Sequence, residues 1–191
     1  MKQLSRWLRR LTGERDLREG AASVVSAAFA DPPGDDVRWL ASLTADGDDD
    51  HARWELRYAM RALVYHAARR DSLDDRTPAA VARALEDALA ADPHVDASKR
   101  EISVQQFNAR MRAYGQALDE RDVRSVTERL GQLLLSFVGV RGQPGEEVVR
   151  RAGGILVRML RDSNSLLRRT FGVAMLPEDV APSLPTGSAR R

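Results

Sequence analysis

Residues 51–69, HARWELRYAMRALVYHAAR, carry apolar side chains around most of a helical circumference. A helix with one apolar stripe needs one neighbour, whereas a helix apolar nearly all round must be surrounded. This segment therefore asks for a bundle of other helices packed about it. The rest of the chain supplies them. Leu17, Ala21, Val24, Val25, Ala28 and Phe29 share one face of 17–29, which the DPPG turn at 31–34 ends. A short helix over 36–43 precedes the acidic loop TADGDDD. Thr77 and Pro78 open a helix that stops at Pro93, with Val81, Leu85, Ala88 and Leu89 inward. Val104, Phe107, Met111, Tyr114 and Leu118 form one stripe; Val126, Leu130, Leu133, Leu134 and Phe137, preceded by Val123, form another. A helix begins at Pro144, with Glu146 and Glu147 favourably placed at its positive end, and a last short one covers SLLRRTF.

Strands have no candidate, because β-branched clusters of period two are absent. The class is all-α: a two-lobed bundle of about eight or nine helices. Its N-terminal lobe spans 1–98 and a basic C-terminal lobe 99–176, hinged at the polar ASKREI. The Pro/Ser/Gly-rich 177–191 reads as a disordered tail.

At the N-terminus, Leu4, Trp7, Leu8 and Leu11 fall at i, i+3, i+4 and i+7, with Lys2, Arg6, Arg9 and Arg10 around them. One reading is a basic amphipathic contact helix, making the protein a helical scaffold or adaptor that docks on a protein or membrane surface. Three turns with one Trp bind a bilayer weakly without a second anchor. The stripe is therefore expected to be buried in the protein's own bundle. Apolar runs such as LLLSFVGV are too short to span a bilayer. Acidic ERDLREG stands where a signal peptide needs its apolar region, so no membrane association and a cytoplasmic location are expected. With no cysteine, thiol catalysis and Cys-based zinc sites are excluded, and a reducing compartment suits the chain.

Other catalytic and metal motifs fail on inspection. A calcium loop starting at Asp46 needs Gly at its sixth position and Glu at its twelfth, where His51 and Arg57 stand. His51 and Glu55 form an i, i+4 pair without a third ligand, His66 is a lone helix histidine, and His94 beside Pro93 is turn material. Glycine-rich phosphate loops and nucleophile elbows are missing; Gly153-Gly154 more simply permits close helix packing. No enzyme activity, cofactor or metal is expected.

Charge points elsewhere. Net charge is only +2, yet residues 14–98 carry 10 basic and 18 acidic groups, and 99–170 carry 14 basic and 8 acidic. Such asymmetry suits a lobe facing a polyanion. Because 28 of the 30 basic residues are Arg, composition alone explains the choice of Arg over Lys, and placement carries the argument. Arg69, Arg70, Lys99, Arg100, Arg110, Arg112, Arg129, Arg158 and Arg161 fall mainly on polar faces or helix ends, where guanidinium groups can reach phosphates without reading bases. The ordinary alternative for each is a solvated ion pair. A transcriptional regulator fits less well, since the helix following YGQALDERDVRS is strongly apolar where a recognition helix is polar.

In order and spacing, these segments resemble the CasB family, the small helical subunit of the type I-E CRISPR surveillance complex Cascade. WLRRLTG (7–13) matches the family's opening helix, and AASVVSAAFADPPG (21–34) its small-residue helix and Pro-Gly turn. ELRYAMRALVYHAARRD (55–71) matches its central helix, and ARAL (82–85) its G-R-A-L element without the glycine. QQFNARMRA (105–113) keeps the Phe, Met and Ala of a further motif but has Gln105-Gln106 where that motif has a basic pair. A later Leu-Arg pair is matched as Leu130-Gly131. The resemblance covers about 7–171. It implies a non-catalytic antiviral-defence subunit that forms a homodimer among other subunits. Its basic surface would steady the guide RNA–target DNA duplex and the displaced strand. The matched basic positions are Arg69 or Arg70, Arg83 and Arg112, with Arg100 and Arg110 nearby.

Overall fold

The computed structural model describes residues 2–72, 75–119 and 122–172, with side chains in those ranges except 2–12 and 123. Among the described residues there are seven α-helices, one 3-10 turn and no strand. They run α1 (Lys2–Ala28), α2 (Gly34–Ala41), α3 (Asp49–Asp71) and α4 (Arg76–Ala90). After the 3-10 turn Ala97–Lys99 come α5 (Arg100–Leu118), α6 (Val123–Val138) and α7 (Glu146–Phe171).

The all-α expectation holds, with fewer helices than expected because two pairs of segments fuse. Nothing between 13 and 17 ends a helix: Gly13 costs about 1 kcal/mol relative to Ala but keeps its N–H, unlike a proline. The basic opening segment and 17–28 are thus one helix. SLLRRTF likewise continues α7. The expected burial of Leu4, Trp7, Leu8 and Leu11, and the tail at 177–191, lie outside the described side chains and residues.

Helix α3 touches every other helix, as its all-round apolarity requires. Leu56, Ala59, Ala62, Leu63 and Ala67 are buried on several of its faces. The acidic loop starts it: the Asp48 carboxylate accepts from the Asp50 and His51 N–H groups, satisfying two orphan donors. One hydrophobic cluster runs from Ala21 to Leu167 through both expected lobes, and Ala97–Lys99, within the expected hinge, form the 3-10 turn.

The most extensive packing joins α6 and α7, through two glycines. A Cβ on Gly131 would lie 2.2 Å from the Val149 carbonyl oxygen, and one on Gly153 2.1 Å from that of Thr127. The two backbones therefore touch. Gly154 faces open space, so Gly153 alone of that pair does the packing.

Two expectations about α5 are corrected. Phe107, Tyr114 and Leu118 are buried, but Val104 at its start is 36% exposed and its neighbour Ile102 57%. Arg110, expected on a polar face, turns inward between Phe107 and Tyr114.

Candidate nucleic-acid interface

Arg110 makes a two-pronged ion pair with Glu55 of α3. Its Nε donates to Oε2 at 3.0 Å and its Nη2 to Oε1 at 2.6 Å. The two side chains are 15% and 2% exposed. Burial opposes the charge on Arg110, but the Glu55 carboxylate holds its pKa above the ordinary value. The guanidinium also lies over the Phe137 ring at 4.6 Å. Arg110 is therefore a cross-brace between α3 and α5 and has no fork left for phosphate. Glu55, half of the His51–Glu55 pair, is committed to it, and His51 Nε2 lies 3.0 Å from the Phe137 carbonyl oxygen.

Two arginines that sequence reasoning passed over are also internal. Arg61 is fully buried, bonds Asp92 at 2.7 Å and stacks over Phe29 at 3.9 Å; desolvation lowers its pKa. Arg57 is buried against exposed Asp31 at 2.6 Å and holds that carboxyl below its usual range. Their spacing on the all-round apolar helix was the available signal.

The remaining predicted cations divide by place. Arg69 and Arg70 end α3, where they favour the negative end of its dipole. Arg70 donates to the Leu118 carbonyl oxygen, and His66 Nε2 meets the Met111 carbonyl oxygen at 2.8 Å. This joint is tight, since a Cβ on Gly115 would lie 2.7 Å from the His66 ring. Exposed Arg69 and Arg112, each adjacent to a residue of the joint, are brought to one end of the α3–α5 pair. Lys99 and Arg100 stand at the other end of α5, about 18 Å away at the rise of an α-helix. Among the described residues, no carboxylate forms an ion pair with Arg69, Arg83, Lys99, Arg100, Arg112 or Arg161, all exposed.

Arg158 is exposed but pairs with Asp36 at 2.7 Å, and Arg129, also exposed, has an interaction of its own. Arg83 shares a hollow between α1 and α4 with Arg18, which sequence reasoning also passed over. Position 131, where the resembled family carries arginine, faces the α7 backbone and has no room for an arginine side chain.

Fold and side chains together define an all-α bundle braced by internal arginine–carboxylate pairs, with separate groups of unpaired surface cations. No protein-family model, curated protein or solved structure matches the chain. Among the described residues no helix is long and apolar enough to cross a membrane.

Proposed function

We propose that the chain is a non-catalytic subunit that holds nucleic-acid backbone, as the small helical subunit of a CRISPR surveillance complex does. In this reading it acts in the cytoplasm as a homodimer beside other subunits, against the guide RNA–target duplex and the displaced DNA strand. The observation that carries the reading is the grouping of Arg69 and Arg112, exposed and without a carboxylate partner among the described residues, at one end of α3–α5. Lys99 and Arg100 extend the reach along α5, since the roughly 18 Å from Arg100 to Arg112 matches about five phosphate spacings of one strand in B-form DNA. Guanidinium groups fixed on helices displace counterions without reading sequence.

The test is salt-dependent binding of single-stranded DNA by the full chain and by an Arg69→Ala, Arg112→Ala double variant. The wild type is expected to lose affinity steeply with salt. The variant is expected to bind more weakly, with its salt slope shallower by about 1.4 and its circular dichroism unchanged. Binding that ignores salt, or a variant that binds like the wild type, refutes the reading.

A further inference from the structure

A hollow of about 390 Å³ opens between the first half of α3 and the junction of the 3-10 turn with α5. That volume lies at the lower end of the roughly 300–1,000 Å³ typical of small-molecule sites. Trp54 and Tyr58, one helical turn apart on α3, line it with ring centroids 5.7 Å apart. Each ring already has a cation packed on it, Arg57 at 4.9 Å from Trp54 and Arg110 at 5.6 Å from Tyr58. Tyr58 is buried and half-buried Trp54 is the ring a base can reach; held by its cation it is fixed in place and electron-poor, which suits stacking on an electron-rich base. At the rim the Tyr58 hydroxyl lies 3.1 Å from Ser103 Oγ and donates to Gln106 Oε1 at 3.3 Å. The Gln106 amide N–H groups have no partner among the described residues and can serve the edge of a base.

Two further features suit the same occupant. Ile102, which lines the hollow, is 57% exposed, although it lies beside an aromatic wall. A flat ring slid against that wall would cover it. Lys99 lines the mouth and places a cation where the phosphate of a stacked nucleotide would emerge, opposed there by exposed Asp96.

We propose that this hollow is a nucleobase niche. One base of a single strand stacks on Trp54, with buried Tyr58 behind it, Gln106 contacts its edge and Lys99 takes the adjoining phosphate. The inference rests on the backbone-binding reading above and deepens it, since it adds base stacking to an otherwise electrostatic grip.

The test compares binding of the full chain at low salt to an oligodeoxyadenylate, an abasic strand of equal length and free adenosine monophosphate. Trp54→Leu and Ile102→Asp are the variants. The base-bearing strand is expected to bind about tenfold more tightly than the abasic one, the size of one stacked base. Both variants are expected to abolish that difference; Trp54→Leu leaves abasic affinity unchanged, whereas the charge added by Ile102→Asp weakens both strands alike. Ile102→Asp lies on the surface and keeps the test sound should Trp54→Leu fail to fold. Equal binding of the two strands overturns the niche but leaves backbone binding standing, whereas binding of neither overturns both. A base advantage that survives Ile102→Asp, or binding of the free nucleotide without any strand advantage, also overturns it.

Discussion

Replacing Gly131 by alanine tests the central contact of the fold. The added Cβ would stand 2.2 Å from the Val149 carbonyl oxygen and 2.9 Å from the Gly153 nitrogen. Both are backbone atoms, so no rotamer change relieves the clash. Restoring an ordinary contact requires α6 and α7 to part by about 1 Å, and a gap of that size forfeits roughly a quarter to a half of each pairwise attraction across it. Overpacking of this kind costs about 3 kcal/mol at the upper end of its usual range. Alanine returns about 1 kcal/mol through its better helix propensity. The net loss is about 2 kcal/mol, or a fall in melting temperature of roughly 4–8 °C for a chain of this size. Gly154→Ala supplies the control. Its Cβ meets nothing within 4 Å, so it is expected to gain about 0.5–1 kcal/mol. Urea unfolding followed by circular dichroism reads both variants, with an unchanged m-value showing that stability alone has moved. Gly131→Ala as stable as the wild type, or the same sign of change at both glycines, refutes the backbone contact.

Arg110→Ala is expected to cost about 3–5 kcal/mol, because it leaves the buried Glu55 carboxylate without its partner. An unchanged thermal midpoint would return Arg110 to the surface. His66 gives a pH signature: burial, and to a smaller degree Arg69 and Arg70, lower its pKa from 6.5, while the Met111 carbonyl and Asp119 act oppositely. The unfolded chain therefore takes up this proton at a higher pH than the folded one. The stability contribution is complete above pH 6.5 and declines as pH falls below it. Urea midpoints across that range should show the decline in the wild type and a shallower one in His66→Gln; parallel profiles would refute the assignment.

The all-α architecture was legible because period alone decides it. The all-round apolarity of 51–69 located the central helix, and the structure packs every other helix against it. Helix ends were less legible, since an internal Gly13 and the polar segment before Ser165 resemble terminators without removing a backbone donor. Exposure at the start of α5 was hidden for another reason. Val104 has the spacing of Phe107 and Tyr114, yet whether a stripe is covered depends on how far its neighbour extends. Arg110 was available to the same periodicity, lying at i+3 from Phe107 and i−4 from Tyr114. Its charge outweighed its position because the compensating carboxylate is 55 residues away in sequence.

That pairing also changes what the charge asymmetry means. Glu55, Asp36 and Asp71 from the acidic half bind Arg110, Arg158 and Arg168 from the basic half. An acidic half and a basic half of one chain can therefore attract each other across a shared core, and no external polyanion is required to account for the imbalance. Net charge by segment is consequently a poor guide to a ligand here. The informative quantity is which cations the fold leaves unanswered, and of the predicted ones these are Arg69, Arg83, Lys99, Arg100, Arg112 and Arg161, among the described residues. Arg69 belongs to the acidic half by sequence and Arg112 to the basic half, yet the His66–Met111 joint brings together the segments that carry them. A partner that reads backbone charge would respond to that local pair, so removing two cations there should weaken binding more than removing Arg158, which Asp36 already neutralises in part.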